Sequence, residues 1–150
     1  YVVGFDFDQG ALDAGFARAQ QARLPFQLLF LDAANPSPNQ GWRGEERPSL
    51  KARANADALI ALALIHHLAI ARNIPLNEVL DWLMGLAPQG IIEFVPKQDP
   101  MVQKLLAFRE DIFPFYTEES CLEFIRGRAQ ILKTIKTSKS DRVLIWYSLN

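Results

Sequence analysis

Asp57-Ala-Leu-Ile-Ala-Leu-Ala-Leu-Ile-His66-His67-Leu68 decides how this 150-residue sequence is read. The run after Asp57 is apolar without alternation, which fits a strand covered on both faces by helices, as in a parallel sheet. Alanine and leucine also favour helix, so the run taken by itself is open between a strand and a buried helix. Its surroundings favour the strand. Open α/β sheets bind ligands beyond the carboxyl ends of their strands, and it is there that the run meets two adjacent imidazoles, His66 and His67.

Working outward, Tyr1-Val-Val-Gly-Phe-Asp6-Phe7-Asp8 is β-rich and apolar and ends in acids, the profile of a buried strand with polar function at its carboxyl end. Ala11 to Ala22 carries Leu12, Phe16 and Ala19 at helical spacing, and Pro25 ends that helix. Phe26-Gln-Leu-Leu-Phe-Leu31-Asp32 repeats the first theme, and Ala33 to Pro48, rich in proline and glycine and holding Trp42, is a long loop. Ser49 to Ala54 allows a short helix. Downstream of the histidines, Leu68 to Arg72 gives one or two helical turns. Pro75 opens a helix at its first position, with Val79, Leu80, Leu83 and Leu86 inward. A strand over Gly90 to Val95, a helix over Pro100 to Phe108, a loop over Asp111 to Tyr116 and a helix capped at Thr117 follow. Gln130 to Thr137 and Arg142 to Ser148 are two strands so closely joined that they must be antiparallel. This order predicts an α/β, Rossmann-like doubly wound sheet closed by a carboxyl-terminal antiparallel hairpin.

Composition sets the outer bounds. The length suits one domain, 1–150, with 49% hydrophobic and 22% charged residues, ordinary globular values. A net charge of −1 gives no general attraction to nucleic acid or an anionic membrane. From Cys121 onward six Lys/Arg face Glu123 and Asp141, a run that reads as a solvated face rather than a docking site for nucleic acid. Cys121 is the lone cysteine, so no internal disulfide forms, and a reducing cytoplasm is the natural setting. No apolar run reaches the roughly 18 residues of a membrane span.

Four pieces in this order resemble the class I S-adenosylmethionine-dependent methyltransferase family, and within it bacterial proteins described as nodulation-related or putative methyltransferases. They are Val2-Val-Gly-Phe-Asp6-Phe-Asp8, Leu31-Asp32-Ala33-Ala-Asn35-Pro-Ser-Pro, the Asp57 to His67 stretch, and Ile92-Glu-Phe-Val-Pro-Lys-Gln-Asp-Pro100. The resemblance implies S-adenosylmethionine as cofactor. Asp6, with Phe7 beside it, matches the acid that ends the family's second strand and accepts both ribose hydroxyls. Asp32 and the Ala33 backbone match the adenine contacts after the third strand. Leu62 and Ala63 match the backbone that meets the methionine portion, and His66 and His67 then face the methyl acceptor, with one of them available as a general base. The acceptor itself, a small molecule or some other nucleophile, is not named by the residues, nor is the oligomeric state. Trp42, Phe113, Phe115 and Tyr116 lie in the loops that would choose it and suit ordinary packing equally well.

Plainer roles stand beside these. Asp6 or Asp32 could cap the following helix. The histidines could be structural. A metal centre is unsupported, since two adjacent histidines cannot share one helix face and no cysteine cluster completes a shell. Glu93 falls inside a buried strand and needs a partner there unless it lines a cleft.

The resemblance also implies a departure. The family's first strand and its glycine-rich turn lie upstream of the second strand, and Tyr1 already sits within that second strand. The expectation is that the chain is the carboxyl-terminal portion of a methyltransferase-like domain, with a gap of about 10 Å where a central strand is missing. Methyl transfer is the leading reading. A catalytically inactive Rossmann-like binding or regulatory module is its rival, and a nicotinamide enzyme is disfavoured by the terminal hairpin.

Overall fold

The computed structural model describes residues 1–138 and 140–149, in two compact units that meet between Leu50 and Lys51. Its strands fall into two sheets, β1-β2 and β3-β4-β6-β5.

The first unit is a parallel β-α-β arrangement of β1 (Val2–Asp6), α1 (Gln9–Gln21) and β2 (Phe26–Phe30). Asp8 starts α1 by accepting the Ala11 N–H at 3.1 Å. The helix stops where Arg23 turns left-handed at φ 52° and the Leu24 N–H closes on the Ala19 carbonyl. α1 buries Leu12 and Ala19. Gly15 lets it approach β2, since a Cβ there would lie 2.7 Å from Leu28 Cδ1. Against expectation β1 is largely exposed, with Val2, Val3 and Phe5 all open; among the described residues β2 is its one strand neighbour. The loop beyond β2 holds a 3₁₀ turn at Trp42–Gly44, and α2 (Leu50–Arg53) spans the unit boundary.

The second unit begins with β3 (Leu59–Ala61), far shorter than the strand expected over the apolar run. The strand ends because Ala63 turns left-handed at φ 50°, and helical structure opens at Ile65. The N–H groups of His67 and Leu68 bond back to the Leu64 carbonyl, and a π turn spans His67–Ala71. Strand and buried helix therefore each describe half of the run. α3 (Leu76–Met84) follows with Pro75 as its N-cap rather than its first residue.

β4 (Gln89–Phe94) is parallel to β3 and antiparallel to β6 (Val143–Ser148), and β6 pairs with β5 (Gln130–Lys136) in the antiparallel hairpin the sequence predicts. Lys139, in the connection between β5 and β6, lies outside the described residues. At Gly90 a Cβ would lie 2.5 Å from the Leu59 carbonyl oxygen, so glycine is what lets β3 and β4 pair there. α4 (Pro100–Leu106) is capped by Asp99 and stops two residues before the expected Phe108, and α5 (Glu118–Arg126) starts at the expected Thr117 cap. Ala61, Ile92, Phe94, Val143, Ile145 and Tyr147 supply the sheet's contribution to the core, to which α3 adds Val79, Leu80 and Leu83 and α5 adds Cys121 and Ile125. Among the described residues no helix is long and apolar enough to cross a membrane.

Candidate functional site

In the first unit the two acids singled out above stand at the same end of one ladder. Asp6 is the last residue of β1, paired with Phe30, and the Leu31 N–H donates to the Asp6 carbonyl at 2.9 Å. Asp32 follows one residue later. Neither caps α1; Asp8 does that. Asp6 Oδ1 accepts the Asp8 N–H at 2.9 Å, and Asp32 Oδ1 accepts the Ala34 N–H at 3.0 Å, so each carboxylate is oriented by the backbone that follows it. Phe7 is exposed, and Ala33 is half-buried.

In the second unit Leu62 and Ala63 form the exposed turn directly after β3. Left-handed backbone costs a non-glycine residue about 1–2 kcal/mol, so something must hold Ala63 there. Its N–H donates to Glu93 Oε2 at 2.7 Å. That same oxygen lies 3.5 Å from Arg142 Nη1, while Arg142 Nε donates to Asp99 Oδ2 at 2.8 Å. Asp99 Oδ1 accepts the Met101 N–H at 2.8 Å. Hydrogen bonding to Arg142 holds the Asp99 carboxyl below the usual carboxylate range, and Asp99 raises Arg142 in return. Glu93 thus has the partner that its place in a buried strand demands. Asp99 before Pro100 is recognisable in sequence as a helix cap, but its pairing with a residue 43 positions away is not.

His66 lies just beyond this group and is 1% exposed, with neither ring nitrogen hydrogen-bonded. Burial, then His67 and Arg142, lower its pKa to about 4, with Asp99 opposing, so the ring is neutral at pH 7. His67 is half-buried, its ring centroid 4.2 Å from that of His66, and burial lowers its pKa too. Of the two, His67 is the more accessible. Cys121 offers no nucleophile: it is fully buried and its thiol is pushed up to about 12. A cavity of about 380 Å³ opens beyond the carboxyl end of β4, lined among others by Phe94, Lys97, Tyr116, Glu118 and Lys136. Tyr116 is part of its wall and of the core, stacked on Phe94 and donating to the Val95 carbonyl at 2.8 Å, whereas Phe115 is exposed. Among the described residues no group of His, Cys, Asp and Glu could hold a metal ion.

An O-methyltransferase of neocarzinostatin biosynthesis, solved with S-adenosyl-L-homocysteine and 1,4-dihydroxy-2-naphthoic acid, superposes with a TM-score of 0.60 at 13% identity, over 99% of this chain and 42% of that one. An S-adenosylmethionine-dependent methyltransferase from Clostridium acetobutylicum gives 0.57 at 12% identity, over 99% and 74%. The fold is that of S-adenosylmethionine-dependent methyltransferases. The nodulation protein NoeA of Rhizobium meliloti (strain 1021) is 50% identical over 142 residues. That match takes in 95% of this chain, which spans only 30% of NoeA's length. No protein-family model matches the chain.

Proposed function

We propose that the protein containing this chain transfers a methyl group from S-adenosylmethionine to an acceptor nucleophile. The observation that carries the reading is the placement of Asp6 at, and Asp32 just beyond, the carboxyl ends of two paired parallel strands, within a methyltransferase fold. The donor set suits the cofactor. A carboxylate accepts from both hydroxyls of a ribose, the role assigned to Asp6, with Phe7 flanking it. Asp32 supplies an acceptor for the adenine amine, and the Ala33 N–H a donor for a ring nitrogen. The Leu62 and Ala63 backbone is assigned to the methionine portion.

When bound, the cofactor supplies an activated methyl on a sulfonium, which leaves the protein the work of alignment. Where the acceptor carries a proton, His67 is the better placed base, being neutral and partly accessible, and enclosed His66 supports its ring. The acceptor is an unidentified nucleophile, small molecule or other, and the single buried cysteine supports a cytoplasmic setting.

Calorimetric titration of S-adenosyl-L-homocysteine into the full-length protein tests this. Binding that is lost in Asp6→Ala and Asp32→Ala supports the assignment. No binding at all removes the enzyme reading. That outcome favours the inactive binding or regulatory module that kept the fold, which predicts no affinity for the cofactor.

A further inference from the structure

We infer that Glu93 is a positioning residue: its carboxylate, clamped by Arg142, sets the left-handed turn at Ala63 and with it the backbone that leaves β3. This rests on the cofactor reading above, which assigns that backbone to the methionine portion.

Alanine reaches φ 50° only under constraint, and the constraint is visible. The Ala63 N–H is fixed at 2.7 Å by Glu93 Oε2, on the neighbouring strand β4. Arg142, the residue directly before β6, holds Glu93 in turn, its Nη1 lying 3.5 Å from the same oxygen. Arg142 is itself tied by Asp99, which also caps α4. One chain of hydrogen bonds and charge thus runs from the α4 cap through Arg142, at the start of β6, and Glu93 on β4 to a turn beside β3. Its cost is a glutamate inside a buried strand, where apolar residues would pack at least as well. Its product is the conformation of an exposed turn that buries nothing, Ala63 being open to solvent. Strained backbone held from below by a buried charge is a mark of a binding or catalytic turn.

The inference is tested in the full-length protein by S-adenosyl-L-homocysteine affinity together with hydrogen exchange at the Ala63 amide. Glu93→Ala removes the acceptor. It should expose the Ala63 amide to exchange and weaken binding by about tenfold or more, the loss expected for one hydrogen bond to a charged group. Glu93→Gln keeps an acceptor and should retain most of both. Ala63→Gly added to Glu93→Ala should recover part of the affinity, since glycine takes positive φ without strain. Ala63→Val leaves Glu93 and the core untouched but opposes the turn, and should weaken binding even if Glu93→Ala does not fold. Normal affinity in Ala63→Val, or in a folded Glu93→Ala whose Ala63 amide exchanges freely, overturns the inference. Wild-type protein that binds no S-adenosyl-L-homocysteine while Glu93 still protects the Ala63 amide overturns the cofactor reading, and reduces Glu93 to a structural brace.

Discussion

Arg142 Nε donates to Asp99 Oδ2 at 2.8 Å, so the residue that leads into β6 is pinned to the cap of α4 by a charge-assisted hydrogen bond. The Asp99 side chain is 5% exposed and that of Glu93 11%, and Arg142 faces both. Removing one partner from a buried ionic group leaves the others uncompensated, at a cost of about 3–5 kcal/mol. Arg142→Ala is therefore expected to lower unfolding stability by about 3 kcal/mol. A loss of unfolding free energy below about 1 kcal/mol in chemical denaturation would show the pairing to be a solvated surface contact.

His66 makes stability depend on mild acid. Its pKa falls from 6.5 in the unfolded chain to about 4 in the folded one, so below pH 6.5 the unfolded state binds a proton that the folded state refuses. Stability is then fully present above pH 6.5 and is lost as pH drops toward 4, by about 3 kcal/mol over the window at roughly 1.4 kcal/mol per pKa unit. Asp99, whose carboxyl is also lowered, adds a second loss at lower pH, below its ordinary 3.8. His66→Leu should remove most of the upper limb, the remainder coming from His67, whose pKa burial also lowers, and should leave stability near pH 7.5 almost unchanged, because neither His66 ring nitrogen has a partner to lose. An unaltered melting profile between pH 6.5 and 4.5 in this variant would place the titration elsewhere.

Elements whose signals are local could be read from the sequence: the helix over Ala11 to Ala22, the Thr117 cap and the closing hairpin. The stretch from Asp57 to Leu68 defeated such reading because its conformation is decided from outside. An alanine-leucine run suits strand and helix alike, and the switch at Ala63 is imposed by Glu93, thirty residues downstream. Asp6 and Asp32 could be placed at strand ends because carboxylates after short apolar strands are a positional signal. Arg142 was missed because nothing near it in sequence announces two buried carboxylates. The exposure of β1 was equally hidden, since apolar composition states what a strand can bury and not which neighbours it has.

Gly90 is expected to be intolerant of even a methyl group. A Cβ would sit 2.5 Å from the Leu59 carbonyl oxygen, and backbone cannot move aside as a side chain can. Gly90→Ala should cost about 2 kcal/mol or more, in the range for overpacking, and should raise hydrogen exchange along β3. Gly15→Ala, which meets the flexible tip of Leu28, should cost less than Gly90→Ala. Equal losses at the two positions would contradict the close approach of β3 and β4.

Asp6 and Asp8 stand two residues apart and should respond to substitution in opposite ways. Asp8 caps α1 through the Ala11 N–H, so Asp8→Ala is expected to lower stability by about 1 kcal/mol. Asp6 is exposed and accepts one backbone N–H, so Asp6→Ala should change stability by less than about 0.5 kcal/mol, as surface substitutions usually do. Affinity for S-adenosyl-L-homocysteine in the full-length protein should reverse the order, falling sharply in Asp6→Ala and little in Asp8→Ala. A carboxylate that only shaped the start of α1 would shift stability and affinity together. Loss of affinity at Asp6 without loss of stability is the pattern that a ribose ligand alone produces.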